Sequence, residues 1–298
     1  MVATLPDAHA VARQLQRQAG QPQPPWLHGE VARRMAERLQ VIRATPATVL
    51  DWWGHLGASA DALSAIYPKA RRVVVEPTPA LARRSAAATS ASWWSPRRWA
   101  GRETVVVEEP AVLAASGQLL WANMMLHAAS DPPAVMGRWR RALEIDGFLM
   151  FSCFGPDTLA ELRAVYAAAG WPPPAVEFTD MHDIGDALVQ AGFADPVMDQ
   201  EHLTLTWESP RALLEELRML GGNTHPARFA ALRSPRWRAR LEHAIAERLA
   251  APGGRLAVTF EIVYGHAFNP VPRARVAERT EVSLDAMRAM VRTGRSGS

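Results

Sequence analysis

Two places in the first third of the chain, a turn and the end of a predicted strand, have residue types that can hold a nucleoside. Gly54 and Gly57 follow a short apolar stretch at residues 48–52. In a strand–turn–helix unit, such glycines let the backbone approach a bound ligand closely. Glu76 ends the next apolar stretch, where a carboxylate can accept hydrogen bonds from both hydroxyls of a ribose. A solvated strand-end carboxylate is the alternative for Glu76.

The same turn also carries two bulky side chains. Trp53 and His55 stand at positions where a nucleoside-binding turn has small residues. A side chain held in a backbone conformation that favours glycine costs about 1–3 kcal/mol. Such a side chain can also fill the space that a ligand would take. The turn therefore predicts a nucleoside site that has been altered.

Further polar residues follow the other predicted strands. Asp51, which ends the first strand, could position the turn, contact a ligand through water or cap the loop. Glu108 and Glu109 follow the third strand, where one of them could accept a hydrogen bond from an adenine amino group; a solvated pair is the alternative. Asn123 follows the fourth strand and is expected to line the site, because ligands of open α/β sheets lie beyond the carboxyl ends of strands. His127 follows the same strand and could lie near a reacting centre, but we favour a partly buried histidine.

Two later groups are interpreted as structural. His182 and Asp183 lie near a predicted helix start and could do acid–base work, but a capped helix with a surface histidine is the commoner arrangement. The segment 211–240 could dock an acidic partner or an anionic substrate, although an ordinary solvated face is favoured. Its arginines are Arg211, Arg218, Arg228, Arg233, Arg236, Arg238 and Arg240.

Strands and helices alternate through the first half of the chain, and this alternation must position the polar residues. It predicts a mostly parallel sheet with helices on both faces. The apolar run Val73-Val74-Val75 indicates a strand that is buried on both sides. A late strand at 256–268 is expected to close one edge of the sheet. The other predicted strands cover residues 48–52, 72–76, 104–107, 119–122, 147–152 and 203–207.

Composition narrows the class of protein. The chain has 298 residues, a net charge of +3 and 48% hydrophobic residues. This weak basic bias, with both signs interspersed, fits a solvated surface better than a nucleic-acid track. No apolar run approaches the ~20 residues of a membrane helix, and the N-terminus has no apolar core of a secretory signal. Cys153 is the only cysteine, which favours a reducing, cytoplasmic location and argues against a structural zinc site.

Several longer motifs resemble one enzyme family. They include Phe-Ser-Cys-Phe-Gly-Pro-Asp-Thr-Leu at 151–159, Asp-Met-His-Asp-Ile-Gly at 180–185 and Ala-Gly-Phe-Ala-Asp-Pro-Val-Met-Asp at 191–199. Segments 25–35, 121–123 and 263–267 add to the match. With these motifs the chain resembles the class I S-adenosylmethionine-dependent methyltransferases and, within them, the malonyl-carrier-protein methyltransferases of biotin synthesis. A related branch assembles respiratory complex I, so the resemblance leaves the substrate open.

The resemblance implies a fold and a reaction. The fold is a seven-stranded, Rossmann-like, mostly parallel sheet with helices on both faces, the last strands antiparallel, and a helical insertion at about 209–254. The methyltransferase domain would cover 29–270. Composition predicts the flanks: a Gln/Pro-rich stretch indicates an N-terminal arm and linker at 1–28, and an Arg-rich segment with a Gly-Ser end indicates a basic tail with a disordered end at 271–298. The reaction is methyl transfer from S-adenosylmethionine to the free carboxylate of a malonyl thioester on acyl carrier protein. A carboxylate is already a nucleophile, so proximity and desolvation suffice, and no catalytic residue is assigned.

The resemblance also implies the cofactor contacts. The family motif is an acid, an apolar residue and then Gly-x-Gly-x-Gly. Here Trp53 and His55 replace the first two motif glycines, while Asp51 keeps the acid and Gly57 keeps the third glycine. The alternative is a catalytically impaired homologue that acts as a binding or assembly protein. The expected cofactor residues are Asp51, Trp53, His55, Gly57, Glu76, Glu108, Glu109 and Asn123.

Overall fold

The structure is a computed structural model that describes residues 4–39, 42, 44–89 and 104–271. The described residues form a seven-stranded sheet with the order β3-β2-β1-β4-β5-β7-β6. The strands are β1 (Thr48–Trp52), β2 (Arg71–Glu76), β3 (Thr104–Glu108), β4 (Gly117–Ala122), β5 (Leu143–Phe154), β6 (Ala194–Trp207) and β7 (Leu256–Phe268).

Helices connect these strands through most of the described chain. A one-turn helix, α3, lies inside the turn after β1, where the sequence predicts only a turn. The helices are α1 (Ala8–Ala19), α2 (Trp26–Leu39), α3 (Gly54–Gly57), α4 (Ala60–Ile66), α5 (Pro79–Thr89), α6 (Pro132–Ala142), α7 (Ala160–Ala168), α8 (Met181–Gln190), α9 (Pro210–Leu220) and α10 (Pro235–Arg248). Two single 3₁₀ turns cover Glu109–Ala111 and Leu126–Ala128.

The direction of the strands confirms the expected mostly parallel sheet. The pairs β1–β2, β1–β4, β2–β3 and β4–β5 are parallel. β7 is antiparallel to both of its neighbours, β5 and β6. The expectation that the late strand at 256–268 closes the sheet edge is wrong, because β7 lies between β5 and β6 and leaves β6 at the edge.

The edge strand β6 is longer than the predicted strand at 203–207. Its side chains alternate between partly buried and exposed, and the outward positions include Asp199. An edge strand that faces solvent on one side takes such polar residues. Their polarity hides the first half of the strand from a search for apolar runs.

Two hydrophobic cores cover the two faces of the sheet. The first contains side chains of α1, α5, α6 and α8, and the second contains side chains of α2, α4, α7, α9 and α10. Both cores share the apolar residues of the central strands, which point alternately to the two faces. The expected helical cover on both faces is therefore confirmed.

Among the described residues, the structure contains no helix long and apolar enough to cross a membrane. The Trp-rich loop at 92–99 and the basic tail from 272 lie outside the described residues.

Candidate functional site

The turn after β1 is held in a conformation that suits glycine. Trp53 has φ of +54° and ψ of +42°, in the left-handed region, which costs a non-glycine residue roughly 1–2 kcal/mol. Two backbone hydrogen bonds fix this conformation: the Trp53 N–H donates to Val75 O at 2.7 Å, and the Gly57 N–H donates to Trp53 O at 2.8 Å. The turn is therefore tied to β2 and continues directly into α3.

Asp51 explains why Gly54 must be a glycine. A Cβ atom on Gly54 would lie 2.5 Å from Asp51 Oδ2, closer than real Cβ contacts. Asp51 is fully buried and forms an ion pair with Arg72, whose nitrogen lies 2.6 Å from the same oxygen. Burial raises the pKa of Asp51, and the Arg72 guanidinium opposes this effect. The acid thus joins β1 to β2 beneath the turn.

The indole of Trp53 crosses from the end of β1 to the end of β3. Its Nε1–H donates to Glu109 Oε1 at 2.6 Å, and the side chain is only 6% exposed. Glu109 also forms an ion pair with Arg138 at 3.2 Å. Since β2 lies between β1 and β3 in the sheet, the indole spans the carboxyl end of β2. This group of Trp53, Glu76 and Glu109 is called the β1–β3 edge below.

Glu76 lies within the β1–β3 edge and is fully buried. Its Oε1 accepts hydrogen bonds from the His55 N–H at 2.8 Å and the Ser85 hydroxyl at 2.6 Å. Its Oε2 is buried without a hydrogen-bond partner among the described residues, as is Nε2 of His55. Burial raises the pKa of Glu76 to about 7 and lowers the pKa of His55. Neither atom is accessible to a ligand in this conformation.

Asn123 connects the turn to the middle of the sheet. Its Nδ2 donates to Gly57 O at 2.6 Å and to His28 O at 2.7 Å, and its Oδ1 accepts from the Ser152 hydroxyl at 2.7 Å. The side chain is fully buried. Asn123 therefore joins α2, the turn, β4 and β5 through satisfied polar contacts. Glu108, by contrast, is exposed at the end of β3.

Two cavities open at the carboxyl ends of β4 and β5, away from the β1–β3 edge. One has a volume of about 350 Å³ and the other about 500 Å³, and none of the eight residues expected to bind the cofactor lines either of them. They share the wall residues His127, Phe154, Val176 and Phe178. We call them the β4–β5 cavities.

His127 forms part of the wall between the β4–β5 cavities. Its Nδ1 accepts a hydrogen bond from the Phe154 N–H at 3.3 Å, and its ring centroid lies 4.4 Å from that of Phe154. Burial lowers the pKa of His127 to about 3, so the ring is neutral at physiological pH. The favoured interpretation as a partly buried histidine is consistent with this contact, and its place beside both cavities agrees with the alternative of a residue near a ligand beyond the end of β4.

Basic side chains line the smaller of the two cavities. Arg17, Arg218 and Arg233 all contribute to its wall. The Arg233 guanidinium lies 3.9 Å from the ring centroid of Trp237, so packing restrains its position. Leu232 beside it is fully exposed. A carboxylate or phosphate that enters this cavity would therefore meet fixed positive charge.

The two remaining candidates, His182 and Asp183, lie near the start of α8. The side chain of His182 is 80% exposed, and its Nδ1 lies 2.8 Å from Asp180 Oδ1. Asp180 also accepts the His182 N–H at the start of α8. This geometry is the capped helix with a surface histidine that the sequence favours. Asp183 is exposed on the same helix and lines the larger cavity.

Curated relatives identify the family. The chain is 39% identical over 252 residues to the malonyl-[acyl-carrier protein] O-methyltransferase of Gallionella capsiferriformans, a match that covers 83% of this chain and 85% of the relative. The protein of the same name from Laribacter hongkongensis is 38% identical and covers 84% of each chain. The chain belongs to the malonyl-[acyl-carrier protein] O-methyltransferase family. The resemblance seen in the sequence motifs is confirmed.

A solved structure supports the fold of this methyltransferase. The YcgJ protein from Bacillus subtilis superposes with a TM-score of 0.54 at 9% identity, and the match covers 80% of this chain and 98% of that one. At this identity the likeness concerns the fold alone, which is that of the class I methyltransferases. No family model matches the chain.

The β1–β3 edge of this methyltransferase does not fit the donor that the resemblance implies. The adenosyl part of S-adenosylmethionine would need an open carboxylate at the end of β2 and an open acceptor after β3. Here Glu76 has no accessible oxygen and Glu109 already accepts a hydrogen bond from Trp53, so that Glu108 is the one exposed carboxylate of the three. In the described conformation, therefore, an intramolecular contact takes the place that a nucleoside would need.

Proposed function

We propose that the protein methylates the free carboxylate of a malonyl thioester on acyl carrier protein, a step of biotin synthesis. The observation that carries this proposal is the 39% identity, over 83% of the chain, to a relative named for that reaction. The methyl donor of the proposed reaction is S-adenosylmethionine. Methylation converts the malonyl carboxylate to a neutral ester.

The smaller β4–β5 cavity is the proposed acceptor site. Arg17, Arg218 and Arg233 supply positive charge for a carboxylate, and apolar side chains such as Phe154 and Phe260 would displace part of its hydration. A desolvated carboxylate is a stronger nucleophile than a hydrated one and needs no general base. The neutral ring of His127 therefore serves as a wall of this site and is given no proton-transfer role.

An acidic carrier protein would dock beside the cavity opening. Arg236 and Arg240 lie one helical turn apart on α10 and are exposed, and Leu232 is exposed near Arg233. Basic residues around an apolar contact favour association with an acidic surface, mainly through the association rate. We keep acyl carrier protein as the proposed partner on these grounds.

The eight residues expected from the motif stay the proposed donor contacts, in a conformation that differs from the described one. Glu76 and Glu109 would need to be released from their internal contacts before a nucleoside could reach them. The eight proposed donor-binding residues are Asp51, Trp53, His55, Gly57, Glu76, Glu108, Glu109 and Asn123.

A direct assay tests this function. Purified protein is incubated with S-adenosylmethionine that carries a labelled methyl group and with malonyl-carrier protein, and acetyl-carrier protein serves as the control that lacks a free carboxylate. We expect base-labile label on the malonyl form alone. Equal labelling of both carrier proteins, or no labelling together with no binding of malonyl-carrier protein, would contradict the proposal.

A catalytically impaired homologue is the second candidate. The observation that favours it is the hydrogen bond between Trp53 and Glu109, which closes the place of the nucleoside. This candidate predicts that malonyl-carrier protein binds and that no methyl group is transferred at any donor concentration. Product formation that saturates with the donor would rule it out.

A further inference from the structure

The Trp53 side chain makes the contacts that a bound adenine would make at the β1–β3 edge. It is a flat aromatic ring with an N–H donor, and it lies across the carboxyl end of β2. Its N–H points at Glu109 after β3, the position whose carboxylate could accept a hydrogen bond from an adenine amino group. An indole and an adenine present similar apolar faces, so the same crevice can hold either ring.

The surroundings of Trp53 are complete without a ligand. The side chain is 6% exposed and belongs to the first core together with Leu56 and Leu81. The ribose-binding position is closed in the same way, because Glu76 Oε1 is bonded to the His55 N–H and the Ser85 hydroxyl. The turn therefore supplies the ring and one donor, the His55 N–H, while α5 supplies the Ser85 hydroxyl.

A partnerless oxygen shows that this filling is imperfect. Glu76 Oε2 is buried and has no hydrogen-bond partner among the described residues. A buried carboxylate oxygen without a donor is a cost that a bound hydroxyl would remove. The edge thus keeps a group suited to a ribose while the tryptophan excludes the nucleoside.

We propose that Trp53 occupies the adenine subsite of the donor site as an internal substitute for the base, so that a nucleoside binds only when the indole leaves. This inference rests on the proposed function for the identity of the donor. The affinity of a ligand that needs a minor conformation falls by the fraction of molecules in that conformation. Trp53 therefore sets the donor affinity of this chain.

The backbone conformation makes a glycine variant a suitable test. Trp53 has φ of +54°, which glycine adopts without the steric cost of a Cβ atom. In W53G the indole is removed and the strain is relieved at the same position. W53F is the second variant, because it keeps a ring in the crevice but loses the N–H that bonds to Glu109.

The experiment is calorimetry with S-adenosylhomocysteine as the probe, on the full chain. W52F is the matched control, because Trp52 is also buried in the same core and makes no hydrogen bond through its indole to a described residue. We expect W53G to bind the probe at least about tenfold more tightly than the wild type. This factor corresponds to a wild-type protein in which about a tenth of the molecules or fewer have the indole displaced. W53F should gain less, and W52F should match the wild type.

The binding of malonyl-carrier protein is measured on the same samples and separates the two claims. Unchanged acceptor affinity in W53G shows that the variant is folded. With that result, a wild-type affinity for the probe equal to or higher than that of W53G would overturn the role of Trp53. A wild-type protein that does not bind malonyl-carrier protein would overturn the proposed function instead. The probe affinities of W53G and the wild type would still decide whether Trp53 controls donor binding.

Discussion

On the β3–β2–β1 side of the sheet, packed side chains cover the carboxyl ends of the strands, whereas on the β4–β5 side these ends open into two cavities. Trp53 bonded to Glu109 closes the first side, and Arg218 and Arg233 stand at the wall of the second. The two sides belong to one sheet, so a change in one half of a site can leave the other half open. Under the proposed function, the closed side is the donor half of the site and the open side is the acceptor half.

The largest expected effect concerns the ion pair beneath the β1–β3 edge. In R72L the buried Asp51 loses its cation, and an uncompensated buried charge lowers the free energy of unfolding by about 3–5 kcal/mol. Urea unfolding at pH 7 measures the loss. The exposed Arg83 on α5 provides the control R83L, for which we expect a change within about 0.5 kcal/mol. An R72L variant as stable as R83L would mean that the edge is not rigidly packed.

Glu76 gives a prediction about pH. Its pKa in the folded state is about 7, above its value of about 4.5 in the unfolded chain, so the folded state holds the proton more tightly. The stability that Glu76 contributes is therefore present below pH 4.5 and is lost as the pH rises to 7, by about 3 kcal/mol. Glu76→Gln should remove this loss and leave the variant more stable than the wild type at pH 8. The measurement is urea unfolding of both proteins from pH 4.5 to 8, and parallel curves would contradict a closed edge.

Gly54 tests the packing of the turn itself. A Cβ atom in Gly54→Ala would clash with Asp51 Oδ2, and we expect a loss of about 1–3 kcal/mol in the free energy of unfolding. Gly137→Ala is the matched control, because no atom lies within 4 Å of its added Cβ on the exposed face of α6. Alanine should stabilise that helix by up to about 1 kcal/mol. Thermal unfolding of the two variants distinguishes them by opposite signs, and a neutral Gly54→Ala would show that the turn can move freely.

The smallest expected effect tests the proposed acceptor site in the smaller cavity. Arg218→Ala removes a cation from the wall of the smaller cavity, and we expect malonyl-carrier protein to bind about tenfold more weakly, which corresponds to about 1.4 kcal/mol. Arg211 lies on the same helix, pairs with Glu215 and is absent from the cavity wall. Arg211→Ala should therefore bind normally in the same titration. An equal loss in both variants would assign the effect to surface charge in general.

The fold could be predicted from the sequence because its signals are local. The central strands contain short apolar runs such as Val73-Val74-Val75, and the helices between them have clear starts and ends. The position of β7 between β5 and β6 could not be predicted in the same way, since strand order depends on pairing between segments far apart in the chain. The polar half of β6 was hidden for a different reason, because one of its faces meets solvent.

The site was predictable in its residue types and less so in its arrangement. The sequence identified Trp53 and His55 as departures from the motif, and the left-handed φ of Trp53 agrees with the predicted glycine-like position. The contact between Trp53 and Glu109 joins residues 56 positions apart, so no local pattern indicates it. The cavity wall at His127 depends in the same way on the packing of Phe178 against it.

The position of the Trp53 indole in the ligand-free protein tests the central claim most directly. Fluorine NMR of protein labelled with 5-fluorotryptophan, with the Trp53 signal assigned through W53F, reports its solvent contact through the change in chemical shift between H₂O and D₂O. We predict no solvent-induced change for Trp53 without ligand and an exposed signal when S-adenosylhomocysteine is bound. A Trp53 signal that already responds to D₂O in the ligand-free protein would contradict a donor site closed by its own tryptophan.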